Sequence, residues 1–108
     1  TKRINEKKKI NSNQINKIED GQFQDLINLE ILDLSNNRLN HLNRNTFTGL
    51  NNLKQLILSY NPFKTIDQDS FMHVPNLLRL DLVSNHDSNW FTFDNNDVCL
   101  LAYFRECK

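Results

Sequence analysis

The sequence predicts an α/β repeat: a solenoid in which each coil adds one short strand to a parallel sheet and returns through turns. Three observations carry this reading. The stretch 29–39, LEILDLSNNRL, spaces its leucines by three, two and five residues, which suits neither a helix nor an alternating strand alone. The pattern returns as LKQLILSYNPF from residue 53 and as LLRLDLVSNHD from residue 77, so Leu29, Leu53 and Leu77 stand 24 residues apart. An asparagine follows each strand in the same frame, at Asn37, Asn61 and Asn85, with Asn13 one coil earlier.

Each element follows from the frame. Leu32 and Leu34 alternate around Asp33, as a short strand with one buried face requires. The same alternation places strands near residues 31–35, 55–59 and 79–83, with a weaker one near 7–11. Strands of successive coils lie side by side and run parallel. Upstream, Ile10, Ile15, Ile18, Phe23 and Leu26 keep the frame, so residues 1–28 form a partial or capping repeat and residues 29–85 the repeats proper. The frame fails at Asp87, which cannot fill a leucine position, and residues 86–108 read as a C-terminal cap-like segment of the same continuous domain. There Asn96 or Asp97 could cap a short helix that turns Leu100, Leu101 and Phe104 toward the last coil.

Asn13, Asn37, Asn61 and Asn85 stand where the chain leaves the sheet and its backbone groups lose their ladder partners. An amide offers donors and an acceptor together, so a stacked column can bond its own loop and the adjacent coil. Phe23, Phe47 and Phe71 recur at the same period on the return side, where a spine of rings would fill the interior opposite the strands. With two glycines and two prolines in the whole chain, asparagines are the turn formers.

Composition narrows the function. The chain has 108 residues, with 13 basic and 13 acidic side chains. That balance argues against a general nucleic-acid binder or a membrane-surface binder. Lys7, Lys8 and Lys9 read as a solvated run. No apolar stretch approaches the roughly 18 residues of a membrane span. The chain begins at Thr1, close to the start of a repeat, and is expected to be a fragment or processed form. No nucleophile elbow, phosphate loop or metal-binding run occurs, so the expectation is a protein that is not an enzyme and needs no cofactor or metal. His41, His73 and His86 belong to separate positions of the solenoid.

These residues resemble the leucine-rich repeat family in the form L-x-x-L-x-L-x-x-N-x-L. The later phenylalanine and leucine are similar to the typical 24-residue subclass of animal extracellular and receptor-type proteins. The resemblance covers about residues 5 to 90. It implies a curved solenoid, strands on the concave face and turns or 3-10 segments on the convex face, that binds other proteins. Lys8 departs from the pattern at an interior leucine position, and Pro62-Phe63 and His86-Asp87 alter the residues after the asparagine, although Phe63 can still fill the leucine site. The C-terminal segment is similar to the start of a cysteine-rich cap, with Asp97 where such caps often carry a first cysteine.

Cys99 and Cys107 are candidates for disulfide bonding. On one helix their α-carbons would lie roughly 12 Å apart, beyond the reach of about 7 Å that a disulfide allows. A bond between them needs the helix to end first. Otherwise each pairs with a cysteine beyond Lys108, or both stay reduced as in a cytosolic protein.

The expected function is recognition of a protein ligand or receptor on the concave strand face, in an extracellular or cell-surface ectodomain. The alternatives are a structural or adhesion spacer and a cytoplasmic leucine-rich-repeat scaffold. Residues between the interior leucines point outward. Ile31, Ile57 and Val83 should then trace a diagonal apolar line with Tyr60 near its edge and Asp33, Arg79 and Asp81 beside it. An apolar line with a polar rim is interface-like, although β-branched residues favour strands whatever they face.

Overall fold

The structure is a computed structural model and describes residues 6–67 and 69–82. Its strands are β1 (Glu6–Lys9), β2 (Leu29–Asp33), β3 (His41–Leu42), β4 (Gln55–Ile57), β5 (Thr65–Ile66) and β6 (Arg79–Asp81). β1, β2, β4 and β6 form one sheet in that order, and every pairing is parallel. Leu32, Leu56 and Leu80 are aligned across it, as the period requires. The strands are short and begin up to two residues earlier than expected.

The sequence reading did not foresee β3 and β5, which pair in parallel as a second, two-stranded sheet. The α in the expected class is not met among the described residues, where no helix occurs. Instead the return of each coil is a series of tight turns. Leu26, Leu50 and Val74 donate their N–H groups to the carbonyls of Phe23, Phe47 and Phe71, and Leu29, Leu53 and Leu77 donate to Leu26, Leu50 and Val74. Such three-residue spacing is the hydrogen bonding of a 3-10 turn.

The core is built one layer per coil. Leu32, Leu34, Leu39, Leu42, Phe47 and Leu50 of one coil are buried, and Leu56, Leu58, Phe63, Phe71 and Val74 of the next repeat the arrangement. Phe63 replaces Leu39 in the frame, and both are buried. Each such side chain contributes about 1.5–3 kcal/mol through removal from water. The rings of Phe47 and Phe71 stack with centroids 6.0 Å apart and planes 13° from parallel. Phe23 is buried as well. Lys8 stands in the row of Leu32 but is exposed, as are all four residues of β1.

Asparagine amides join the coils where the strands end. Asn61 Nδ2 donates to the carbonyls of Leu58 in its own coil and Leu34 in the coil before, both at 3.0 Å. Its Oδ1 accepts from the Leu39 N–H at 3.1 Å. Asn37 repeats the set one coil earlier: Nδ2 donates to Leu34 O at 3.0 Å and Ile10 O at 2.6 Å, and Oδ1 accepts from Ile15 N–H at 3.3 Å. The Leu34 carbonyl therefore accepts from both asparagines, using the two lone pairs that a carbonyl oxygen has.

Asn13 does not take part in this way and corrects the sequence reading. It is exposed and lies at φ 65°, in the left-handed backbone region that Asn36 and Tyr60 occupy one frame position earlier in their coils. Residues 11–14 are all exposed, so no side chain of this coil fills the place that Asn37 and Asn61 occupy. Asn85, the fourth member of the expected column, lies outside the described residues.

A second asparagine row recurs at the same period, at Asn28, Asn52 and Asn76. Asn52 Nδ2 donates to Ile27 O at 2.6 Å, and Asn76 Nδ2 to Asn51 O at 2.7 Å. These amides tie each coil to the one before it at the other end of the strands. They are exposed, unlike Asn37 and Asn61.

One glycine marks the closest approach of two coils. Gly49 has φ 96°, and a β-carbon there would lie 2.3 Å from Gln24 Cα and 2.6 Å from its carbonyl oxygen. Backbone cannot yield as a flexible side chain does. At Gly21, with φ 74°, the nearest atom is the Gln24 side-chain oxygen at 3.1 Å. Gly49→Ala should therefore destabilise by roughly 3 kcal/mol or more, and Gly21→Ala by about 1 kcal/mol, the cost of the left-handed conformation alone. Equal midpoints of urea unfolding for the two variants would contradict the close packing. Likewise Asn61→Ala should cost about 1–3 kcal/mol by leaving backbone groups unsatisfied. The exposed Asn40→Ala should stay within about 0.5 kcal/mol. Thermal melts of the two variants test the difference.

Candidate functional site

The outward positions of the main sheet form two rows set by strand register. Lys7, Ile31, Gln55 and Arg79 are aligned in one, and Lys9, Asp33, Ile57 and Asp81 in the next. Adjacent strands lie about 4.8 Å apart and successive outward residues about 6.6 Å apart. Ile31 and Ile57 are thus diagonal neighbours about 8 Å apart by the same spacings. Both are half-buried, whereas Arg79 is exposed and Asp81 half-buried. Val83, which would continue the line, lies outside the described residues.

The polar residues beside this line differ in what they do. Asp81 is held on both oxygens, by Arg79 Nε at 3.1 Å and by Gln55 Nε2 at 3.3 Å. Surface pairs of this kind contribute little to stability, typically about 0–1 kcal/mol. Asp33 is not the exposed flanking charge that alternation suggested. It is only 7% exposed, and its Oδ1 accepts from both the backbone N–H and the hydroxyl of Ser35, at 3.0 and 2.7 Å. Its carboxylate closes the turn at the strand's end, so Asp33 works inside the coil before it works on any partner. A short polar side chain two residues before a serine at a strand terminus was the signal for this role.

Tyr60 is 43% exposed and lies past the end of β4 rather than in the rows. Two other large apolar side chains, which the sequence reading missed, are also exposed: Ile27 at 52% and Leu78 at 60%. Each sits just before a strand. Neither belongs to the periodic set, and periodicity was the only tool that could have found them.

Other chemistry is sparse among the described residues. No group of His, Cys, Asp and Glu side chains could hold a metal ion. No helix is long and apolar enough to cross a membrane. His41 and Asp67 approach to 3.8 Å, as do Arg44 and Asp69, with all four side chains well exposed. Cys99 and Cys107 lie outside the described residues.

Single parallel strands, tight-turn returns and amides bonded from coil to coil define a stacked-repeat protein whose outer sheet face no other described element covers. A family model described as Leucine rich repeat matches residues 9–63 and 45–86. The chain belongs to the leucine-rich repeat family. No curated protein matches it significantly. Leucine-rich repeat domains are in general protein–protein interaction modules and in general not enzymes.

The different roles of the two aspartates are measurable. Asp33→Ala should destabilise by about 1–3 kcal/mol, because the buried Ser35 N–H and hydroxyl lose their acceptor. Asp81→Ala should change stability by less than about 1 kcal/mol. Urea unfolding that ranks them the other way would return Asp33 to the exposed rim.

Proposed function

We propose that this chain is a recognition module that binds a protein partner on the outer face of its main sheet. The observation that supports this reading is the diagonal of Ile31 and Ile57, half-buried on a face that no other described element covers. Apolar side chains ringed by Lys9, Arg79, Gln55 and Asp81 have the composition of an interface centre with a polar rim. Val83 would extend the line in the next coil. Asp33 stands in the same row as Ile57, with its carboxylate bonded to Ser35.

The wider setting of the proposal rests on the sequence pattern. The 24-residue period with its recurring phenylalanine fits the extracellular, receptor-type subclass, and such a module would present the strands on the concave side of a curved stack. Residues 86–108 would close the stack as a cap, with Cys99 and Cys107 in disulfides. On this reading the parent protein would stand outside the cell or at its surface.

The test uses binders selected from a displayed protein-domain library on the full chain. Ile57→Asp puts a charge into the middle of the diagonal and should weaken those binders about tenfold or more, as loss of a central interface residue does. Its thermal stability should stay within about 1 kcal/mol of the parent, because the side chain lies outside the core. Asp25→Lys, on the exposed return side, should leave binding unchanged. Binders indifferent to Ile57→Asp would move the site off this face.

A further inference from the structure

The segments that follow the strands form a separate surface with a chemistry of its own. In the coil after β2, Asn36, Arg38 and Asn40 are exposed while Asn37 and Leu39 between them are buried. In the coil after β4, Tyr60 and Lys64 are exposed and Pro62 half-buried, while Asn61 and Phe63 are buried. The two segments run side by side. Asn36 N–H donates to Ser59 O at 3.0 Å, and Lys64 N–H to Asn40 O at 2.8 Å. This register sets Tyr60 beside Asn36, Pro62 beside Arg38, and Lys64 beside Asn40.

Tyr60 is costly where it stands. Its backbone is left-handed at φ 63°, and Asn36 at the equivalent place has φ 58°, so both coils take this conformation at the same position. Asparagine tolerates it readily, whereas a bulky residue there is an outlier. The cost is about 1 kcal/mol or more. Among the described residues no hydrogen bond or ring contact engages its side chain, and the residue is 43% exposed. A strained residue with an unused aromatic ring is a candidate for function rather than for folding.

The charge around it has one sign. Among the described post-strand segments, residues 10–16, 34–40 and 58–64 contain no aspartate or glutamate, while Asp87 of the next coil lies outside the described residues. Arg38 and Lys64 form no ion pair among the described residues. The acids among the described residues lie elsewhere, with Glu19, Asp20, Asp25, Asp67 and Asp69 on the return side and Glu6, Glu30, Asp33 and Asp81 on the strands.

We propose that this flank is a second docking surface, on which Tyr60 and Pro62 receive an apolar side chain while Arg38 and Lys64 receive carboxylates of an acidic protein segment. Tyrosine suits the centre of such a contact because it offers a large rigid ring and a hydroxyl at small entropy cost. Two cations about a coil apart, with no acid in their own segments, fix the sign of the partner's charge. The proposal does not depend on the sheet face, which lies around the end of the strands from these loops.

The experiment has an arm that needs no ligand. Tyr60→Asn should raise the melting temperature, because it gives this coil the residue that Asn36 already provides. A lower melting temperature would overturn the strain on which the proposal stands. In the second arm, random linear peptides displayed on phage are selected against the full chain. Peptides rich in aspartate and glutamate should be recovered, and their affinity should drop about tenfold or more in Tyr60→Asn. It should also fall in the double variant Arg38→Glu, Lys64→Glu, and persist in Ile57→Asp.

Recovery of basic or uncharged peptides would overturn the proposal, as would acidic peptides indifferent to Tyr60→Asn. Peptides lost only in Ile57→Asp would overturn it while leaving the sheet-face reading intact. A single-stranded oligonucleotide bound more tightly than any acidic peptide, and released by the same variants, would reassign the flank to nucleic acid.

Discussion

The Leu34 carbonyl oxygen is the point on which the coil stack depends. It accepts one hydrogen bond from Asn37 in its own coil and another from Asn61 in the next. At this point the chain leaves the sheet, so the usual ladder cannot satisfy the backbone. A side chain that fills the gap must donate twice and accept once within a very short reach. Asparagine does this. Aspartate lacks the donors, and glutamine sets the same amide one methylene farther out. With 1% exposure, Asn61 makes these bonds where water cannot substitute for any of them.

This constraint explains the division of labour in each coil. Inward positions are all assigned: leucines under the strands, phenylalanines on the return, amides at the bend. Changing any of them disturbs two coils at once, because each side chain packs or bonds against the one before. Outward positions carry no such obligation. Ile31, Gln55 and Arg79 stand in one row without sharing size, charge or polarity. Chemical variety on that face is what lets a stacked-repeat scaffold distinguish partners, since the interior is the same from coil to coil.

The coil period was legible because buried leucines must recur wherever coils stack. Strand direction followed from it, as did the interior places of Leu39 and Phe63. What stayed hidden has physical reasons. β3 and β5 are two residues each, too short to alternate, and only the recurrence of Leu42 and Ile66 hinted at them. Asn13 matched the column by letter but not by backbone, since it takes the left-handed turn itself, one position later than Asn36 and Tyr60, and stays exposed. Asp33 looked exposed by alternation, yet the strand ends at that residue and its carboxylate folds over onto Ser35. For the sheet face, the diagonal from Ile31 to Ile57 could be read from the frame. The degree to which neighbours cover it could not, because burial depends on side chains from adjacent strands.

Asn36 and Tyr60 show how function can be separated from folding within a repeat. Both residues meet the same backbone demand, at φ values five degrees apart, and both leave their side chains in water. Core packing does not account for their difference, because neither belongs to the core among the described residues. Backbone propensity favours asparagine at both. The tyrosine therefore persists against the local preference, in a loop with cationic neighbours and no acid. In most proteins a strained residue has no internal control with which to compare it. A repeat supplies that control in the next coil, and here the comparison singles out one side chain whose presence the fold does not require.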